Sequence, residues 1–134
     1  MKDQVPENCC EFQQAVDECL LRHRSILDVL SKFQEASTRV NRAVTKAVTE
    51  CGCVTINASR QSIPNDCSFS DMRQHLLSHI DGELCEACRD AIELELGRTL
   101  FYVAAICNTL DLDLSLIMSS ETKRMTTLGL YSMR

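Results

Sequence analysis

The sequence predicts an all-α fold, a helical bundle, and three observations carry that prediction. Only four glycines and two prolines occur in 134 residues, and neither type falls between residues 7 and 51, so a long stretch has no strong backbone breaker. Positions Phe12, Val16, Cys19, His23, Ile26, Leu30, Phe33, Ser37, Val40, Val44, Ala47 and Cys51, apolar but for His23 and Ser37, alternate in spacings of four and three, which is a heptad register. Tryptophan is absent and aromatics make up 4%, a composition that argues against β-sandwiches, base-stacking modules and aromatic ligand cages. With 45% hydrophobic and 25% charged residues the chain suits a single helical domain over 1–134.

The first element expected is one long N-terminal helix over 8–51, or a helix pair over the same residues, with Leu20, Leu27 and Val29 widening the stripe and His23 and Ser37 interrupting it. A fold-back would fall near Ser31 to Thr38. Gly52 stands where a left-handed helix cap belongs, and Val54-Thr55-Ile56 favours an extended segment. Residues 52–67 form a Cys-x-Cys segment and a loop marked by Pro64. Ser68 to Asp71 has the form of a capping box that opens a short helix through Met72, Leu76, Leu77 and Ile80, which Gly82 ends. A third helix is expected from about Glu83 to Leu110, with Gly97 as a point of close helix packing and Leu100 to Cys107 apolar on every side and central to the core. Asp111 or Asp113 caps a final helix through Leu116, Ile117 and Met125, and the tail from Thr127 to Tyr131 packs back over the bundle.

Nine cysteines are the unusual feature. The opening residues have no apolar core and the longest apolar run, Leu100 to Cys107, is far short of a membrane span. The expected location is cytoplasmic, where thiols do not build a disulfide framework. Cys51 and Cys53 form one close pair at a helix end, and Cys85 and Cys88 form another on the first turn of a helix. Two short-spaced pairs supply four thiolates, the number and softness that tetrahedral zinc requires. Helix-start N–H groups favour the thiolate at the second pair. Zinc is the first expectation, ahead of a redox dithiol or an iron–sulfur cluster, and four half-buried thiols without metal are the plain alternative. His75 and His79 are substitute ligands.

Residues 81–95 hold six acids and one base. Glu83, Glu86, Asp90 and Glu93 fall on one stripe, most simply a solvated helix face, whereas Glu95 falls among Leu84, Cys88, Ile92, Tyr102 and Ile106 on the apolar face. A carboxylate there binds a metal cation, pairs with a cationic side chain, or is protonated and hydrogen-bonded, and pairing with Arg98 three residues on is favoured over a divalent ion.

The run Glu95-Leu-Gly-Arg98 with the apolar helix and Asp-Leu-Asp turn that follow it, and Gly82-Glu83-Leu84 before it, resembles the all-α nucleoside triphosphate pyrophosphohydrolases of the MazG-like superfamily over residues 80–125. The resemblance implies MazG-like helices over 68–134. In that family four carboxylates on two helices hold magnesium, which bridges a triphosphate and activates water. Glu83 and Glu95 match two of those acids. Ile80 stands at the position of a third, and Arg98 at the position of the fourth. The whole chain, with Thr49-Glu-Cys51-Gly-Cys53 and Gly82-Glu-Leu-Cys85-Glu-Ala-Cys88, is also similar to small proteins of anaerobic Firmicutes.

Two functions follow as expectations. One is a zinc-stabilised helical interaction or regulatory protein without an intact magnesium site, homodimeric through the long helix. The alternative is a divergent magnesium-dependent pyrophosphohydrolase that takes a nucleotide and uses Glu83, Glu86, Asp90, Glu93 and Glu95. A net charge of −5 leaves no basic excess for nucleic acid, and no membrane partner is expected.

Overall fold

The computed structural model describes residues 8–128. Among them the chain is mostly helical, with five α-helices and one two-stranded antiparallel sheet. These residues group into two compact units, 8–40 with 93–128, and 41–92.

The first unit begins with α1 (Cys9–Cys19), capped by Asn8, whose side-chain oxygen accepts the Glu11 N–H at 3.0 Å. Of the two forms expected for 8–51 the chain takes the pair. The helix stops at Cys19 and restarts at Ile26 as α2 (Ile26–Lys46), and 31–38 is unbroken helix rather than a fold-back. The break has a local cause. Arg22, His23 and Arg24 supply no apolar side chain to continue the stripe, His23 adopts a left-handed φ of 57°, and the Arg24 guanidinium turns back to donate to the Leu20 carbonyl at 2.5 Å and to the Asp17 carboxylate at 3.0 Å. Arg24 thereby satisfies a helix end that would otherwise present free carbonyls. The expected heptad position of His23 is exposed.

Val29 and Ala36 are the buried residues of α2, and Phe33 and Val40 are half-buried beside them on the same stripe. α4 (Glu86–Thr109) contributes Ala104, Ala105 and Cys107, and α5 (Leu114–Leu128) contributes Leu114. With Val16 and Val29 these close one core. The stretch Leu100 to Cys107, expected at the centre of the core, supplies three of its buried residues and packs Phe101, Tyr102, Val103 and Ile106 against it, and Leu100 at its start is 57% exposed. The expectation for Gly97 is corrected. A Cβ there would meet nothing within 4 Å, so no helix among the described residues approaches it closely. The α4–α5 corner bends by 108°. Asp111 adopts a left-handed φ of 55°, the Leu112 N–H reaches the Cys107 carbonyl at 2.8 Å, and Asp113 caps α5 by accepting the Leu116 N–H at 3.3 Å. Thr127 and Leu128 end α5, and the remainder of the expected tail lies outside the described residues.

Gln13 ties α1 to that corner. Its amide nitrogen donates to Asn108 Oδ1 at 2.9 Å and to the Leu112 carbonyl at 2.8 Å, and its oxygen accepts the Leu114 N–H at 2.9 Å. The Asn108 amide returns a bond to the Gln13 carbonyl at 3.1 Å. One side chain therefore serves the end of one helix and the start of the next. Gln13→Ala is expected to cost roughly 2 kcal/mol, because it removes three bonds and leaves half-buried partners. Chemical denaturation checks this, with Gln14→Ala, whose amide bonds only to the exposed Glu18, changing little.

In the second unit the last residues of α2 pass into a π-turn over Ala47–Cys51. β1 (Val54–Ile56), the extended segment expected from its β-branched residues, pairs antiparallel with β2 (Ile80–Gly82) in the register Val54 to Gly82. The helix expected through Ile80 is corrected. α3 spans only Met72–His75, Leu76 is extended, and Ile80 is a strand residue. The expected capping box is not formed: the Ser68 hydroxyl donates to the Asp71 carboxylate, side chain to side chain, at 2.5 Å, and α3 begins after Asp71 with no side-chain cap. Gln61 clamps the backbone of Leu77 through both its N–H and its carbonyl, at 3.0 and 2.9 Å. His79 takes a left-handed φ of 62°. Strand pairing and these bonds outweigh the local helical pattern. α4 consequently starts at Glu86, three residues after the expected Glu83. Among the described residues no single helix is long and apolar enough to cross a membrane.

Candidate metal centre

All four cysteines of the two close pairs lie in residues 41–92, and each is placed by a different backbone device. Cys51 ends the π-turn, in which the helix carries a wider turn than α geometry allows. Gly52 closes it with φ 77°, and its N–H bonds back to the Ala47 carbonyl at 2.9 Å. This left-handed residue reverses the chain between the two thiols of the pair. Cys53 immediately precedes β1.

The β1–β2 pairing carries the chain back to Gly82, beside Cys53. Gly82 has φ 91°, and a Cβ built there would lie 2.7 Å from the Cys53 carbonyl oxygen. Glycine is therefore the residue that lets this strand pass close to the first pair. Three residues later Cys85 stands at the head of α4. Its carbonyl accepts the Arg89 N–H at 2.9 Å and its sulfur accepts the Cys88 N–H at 3.4 Å, so the thiol fills the place of a helix-capping side chain. Cys88 follows on the first turn of α4.

The four Sγ atoms lie within 4.8 Å of one another and could hold a metal ion. Cys51 and Cys85 have their sulfurs 3.8 Å apart. That is far longer than the S–S bond of about 2.05 Å, and all four thiols are free. It equals the edge, about 3.8 Å, of a tetrahedron whose centre lies ~2.3 Å from each sulfur. Cys51 is exposed and the other three are half-buried, which leaves an entry path for an ion.

The electrostatics favour ionisation at one sulfur first. The Cys88 N–H, with hydrogen bonds from the Cys88 and Cys51 thiols, draws the Cys85 thiol down to about 7. Once Cys85 carries charge, Cys88 is held in the protonated form: its bond to Cys85, together with desolvation, pushes it up to about 12. A cation at the centre reverses that penalty, because each added thiolate then faces positive charge.

The other candidate residues are placed elsewhere. Neither His75 nor His79 belongs to the cysteine group. His79 Nε2 is instead 2.8 Å from the Ser59 carbonyl. Glu83, Glu86, Asp90 and Glu93 are exposed. Glu95 is mostly buried, its side chain 16% exposed, with one oxygen accepting from Arg98 at 3.1 Å. Its second oxygen is buried without a hydrogen-bond partner. Among the described residues, none of these five carboxylates joins a group of three or more within ligand reach of one another. Of the two glycines that shape the site, Gly52 takes the left-handed cap expected of it, and Gly82 is the residue that sequence reasoning missed. The Cys-Gly-Cys spacing signals Gly52, but Gly82 reads as a helix stop until the strand register is known.

Compared with family models, curated proteins and solved structures, the chain matches none of them.

Proposed function

We propose that the protein is a zinc-stabilised helical interaction or regulatory protein of the reducing cytoplasm, on a scaffold that resembles the MazG-like family without its magnesium site. One observation carries the metal assignment. Four thiols from two chain segments converge within 4.8 Å, one pair of them at a tetrahedral edge length. Four sulfur donors suit zinc over hard cations such as magnesium. They also fill its coordination shell, which leaves no open position for substrate and makes the centre structural rather than hydrolytic. Ile80 in a strand and Arg98 on Glu95 support the reading that magnesium chemistry is absent. Zinc here fastens the end of the π-turn and the lead into β1 to the first turn of α4.

Protein purified without added metal is expected to carry one zinc per chain. Replacement by cobalt(II) should give the visible bands and intense sulfur-to-metal charge transfer of a tetrathiolate, both lost in Cys85→Ser. Metal-free protein with four freely reactive thiols and unaltered thermal stability would end this assignment.

A further inference from the structure

Among the described residues α5 is covered only at its start. Leu114 is buried, and Met118 meets Cys9 with the two sulfurs 3.0 Å apart. From Ser119 to Leu128 every residue is exposed. A helical segment of this length with no packed face is marginal in water, so a partner is needed to account for it.

The bare face has a definite pattern. Ile117, Glu121, Arg124 and Leu128 are spaced four, three and four, and at 100° per residue they fall in an arc of about 60°. Ile117 is 44% and Leu128 51% exposed. Read along the helix the stripe is apolar, acid, base, apolar, and Glu121 and Arg124 already pair with each other within the helix. Such an order is self-complementary in one orientation. In an antiparallel pair about a two-fold axis, Ile117 meets the partner's Leu128 and Glu121 meets the partner's Arg124, and each contact occurs twice. In a parallel pair acid would face acid and base would face base. Met125, 51% exposed, borders the seam and adds apolar surface.

We infer that α5 is the self-association face of this protein and that its occupant is α5 of a second copy, in antiparallel register. α2 is the less suitable face, because Val29 and Ala36 are already buried. The surface is independent of the cysteine centre and goes beyond the function proposed above.

The test uses the full chain with its metal bound. Sedimentation equilibrium at micromolar concentration is expected to give about twice the chain mass of 15.1 kDa. Arg124→Glu places four acids at the seam and Glu121→Arg places four bases there, so each variant alone should sediment at the monomer mass while keeping the helical circular dichroism of its core, with a loss no larger than the fraying of α5 accounts for. Mixed in equal amounts, the two variants should recover the doubled mass, since one helix of the seam is then all acid and the helix facing it all base. A monomeric wild type overturns the inference. So does a dimer that survives in both single variants, or a mixture of two folded variants that fails to associate.

Discussion

Stripping the metal with a strong chelator at neutral pH is expected to unfold residues 41–92. The reason lies in how little else holds them. Among the described residues of this unit only Ala47 and Val54 are buried apolar side chains, and a two-stranded sheet of three-residue strands is marginal by itself. A structural zinc contributes on the order of 10 kcal/mol to such a unit, as large as the net stability of a whole domain. Hydrogen exchange should show protection lost across 41–92 and retained at Val16, Val29 and Ala104 to Cys107, whose core needs no metal. Acid should act in the same direction. The Cys85 pKa is lowered in the fold, so the stability its thiolate contributes is present above pH 9 and is lost as pH falls through about 7. Unchanged protection in 41–92 after complete metal removal would contradict the structural role.

Gly82→Ala is expected to be the most damaging single methyl group in the chain. Its Cβ would sit 2.7 Å from the Cys53 carbonyl oxygen, with φ at 91°. The obstacle is backbone and belongs to Cys53 of the proposed centre, so it cannot yield without moving the sulfur. Backbone strain alone costs about 1–3 kcal/mol, and separating β2 from β1 adds to it. Gly52→Ala is the control, because φ there is 77° but nothing lies within 4 Å, which limits its cost to about 1 kcal/mol. Thermal melts and metal competition against a chromophoric chelator compare the two. Equal behaviour would mean that the strand crossing does not hold the centre.

The cysteine group was legible because spacing is local information. Cys-x-Cys after a glycine-free helix and Cys-x-x-Cys at a helix start place two thiols each without knowledge of the fold, and only their convergence needed coordinates. The helices from Glu86 and Leu114 were legible for the same reason, from periodicity and from the Asp113 cap. The failures are non-local. Met72 through Ile80 has helical spacing, but Ile80 finds a strand partner in Ile56, and Gln61 holds the Leu77 backbone, contacts that no window around residue 76 contains. The break after Cys19 was hidden because Leu20, Ile26 and Leu27 keep the apolar rhythm on both sides, while Arg24 bonds backward to close the helix. Gly97 failed in the opposite sense, since a glycine allows close approach without requiring it.

The two units differ in how they are strung on the chain, and that difference sets an order of assembly. Residues 41–92 are one continuous stretch, and its thiol pairs are joined by a loop of modest length, whereas the other unit needs residues from both sides of that stretch. Gln13 cannot find Asn108 and Leu114 until about a hundred further residues have left the ribosome. Closing the longer loop is also the slower search. The cysteine-bearing stretch therefore completes first during synthesis, and α1, made before it, waits with Phe12 and Val16 uncovered until α4 and α5 arrive. For that interval the nascent chain carries the exposed apolar surface that chaperones recognise.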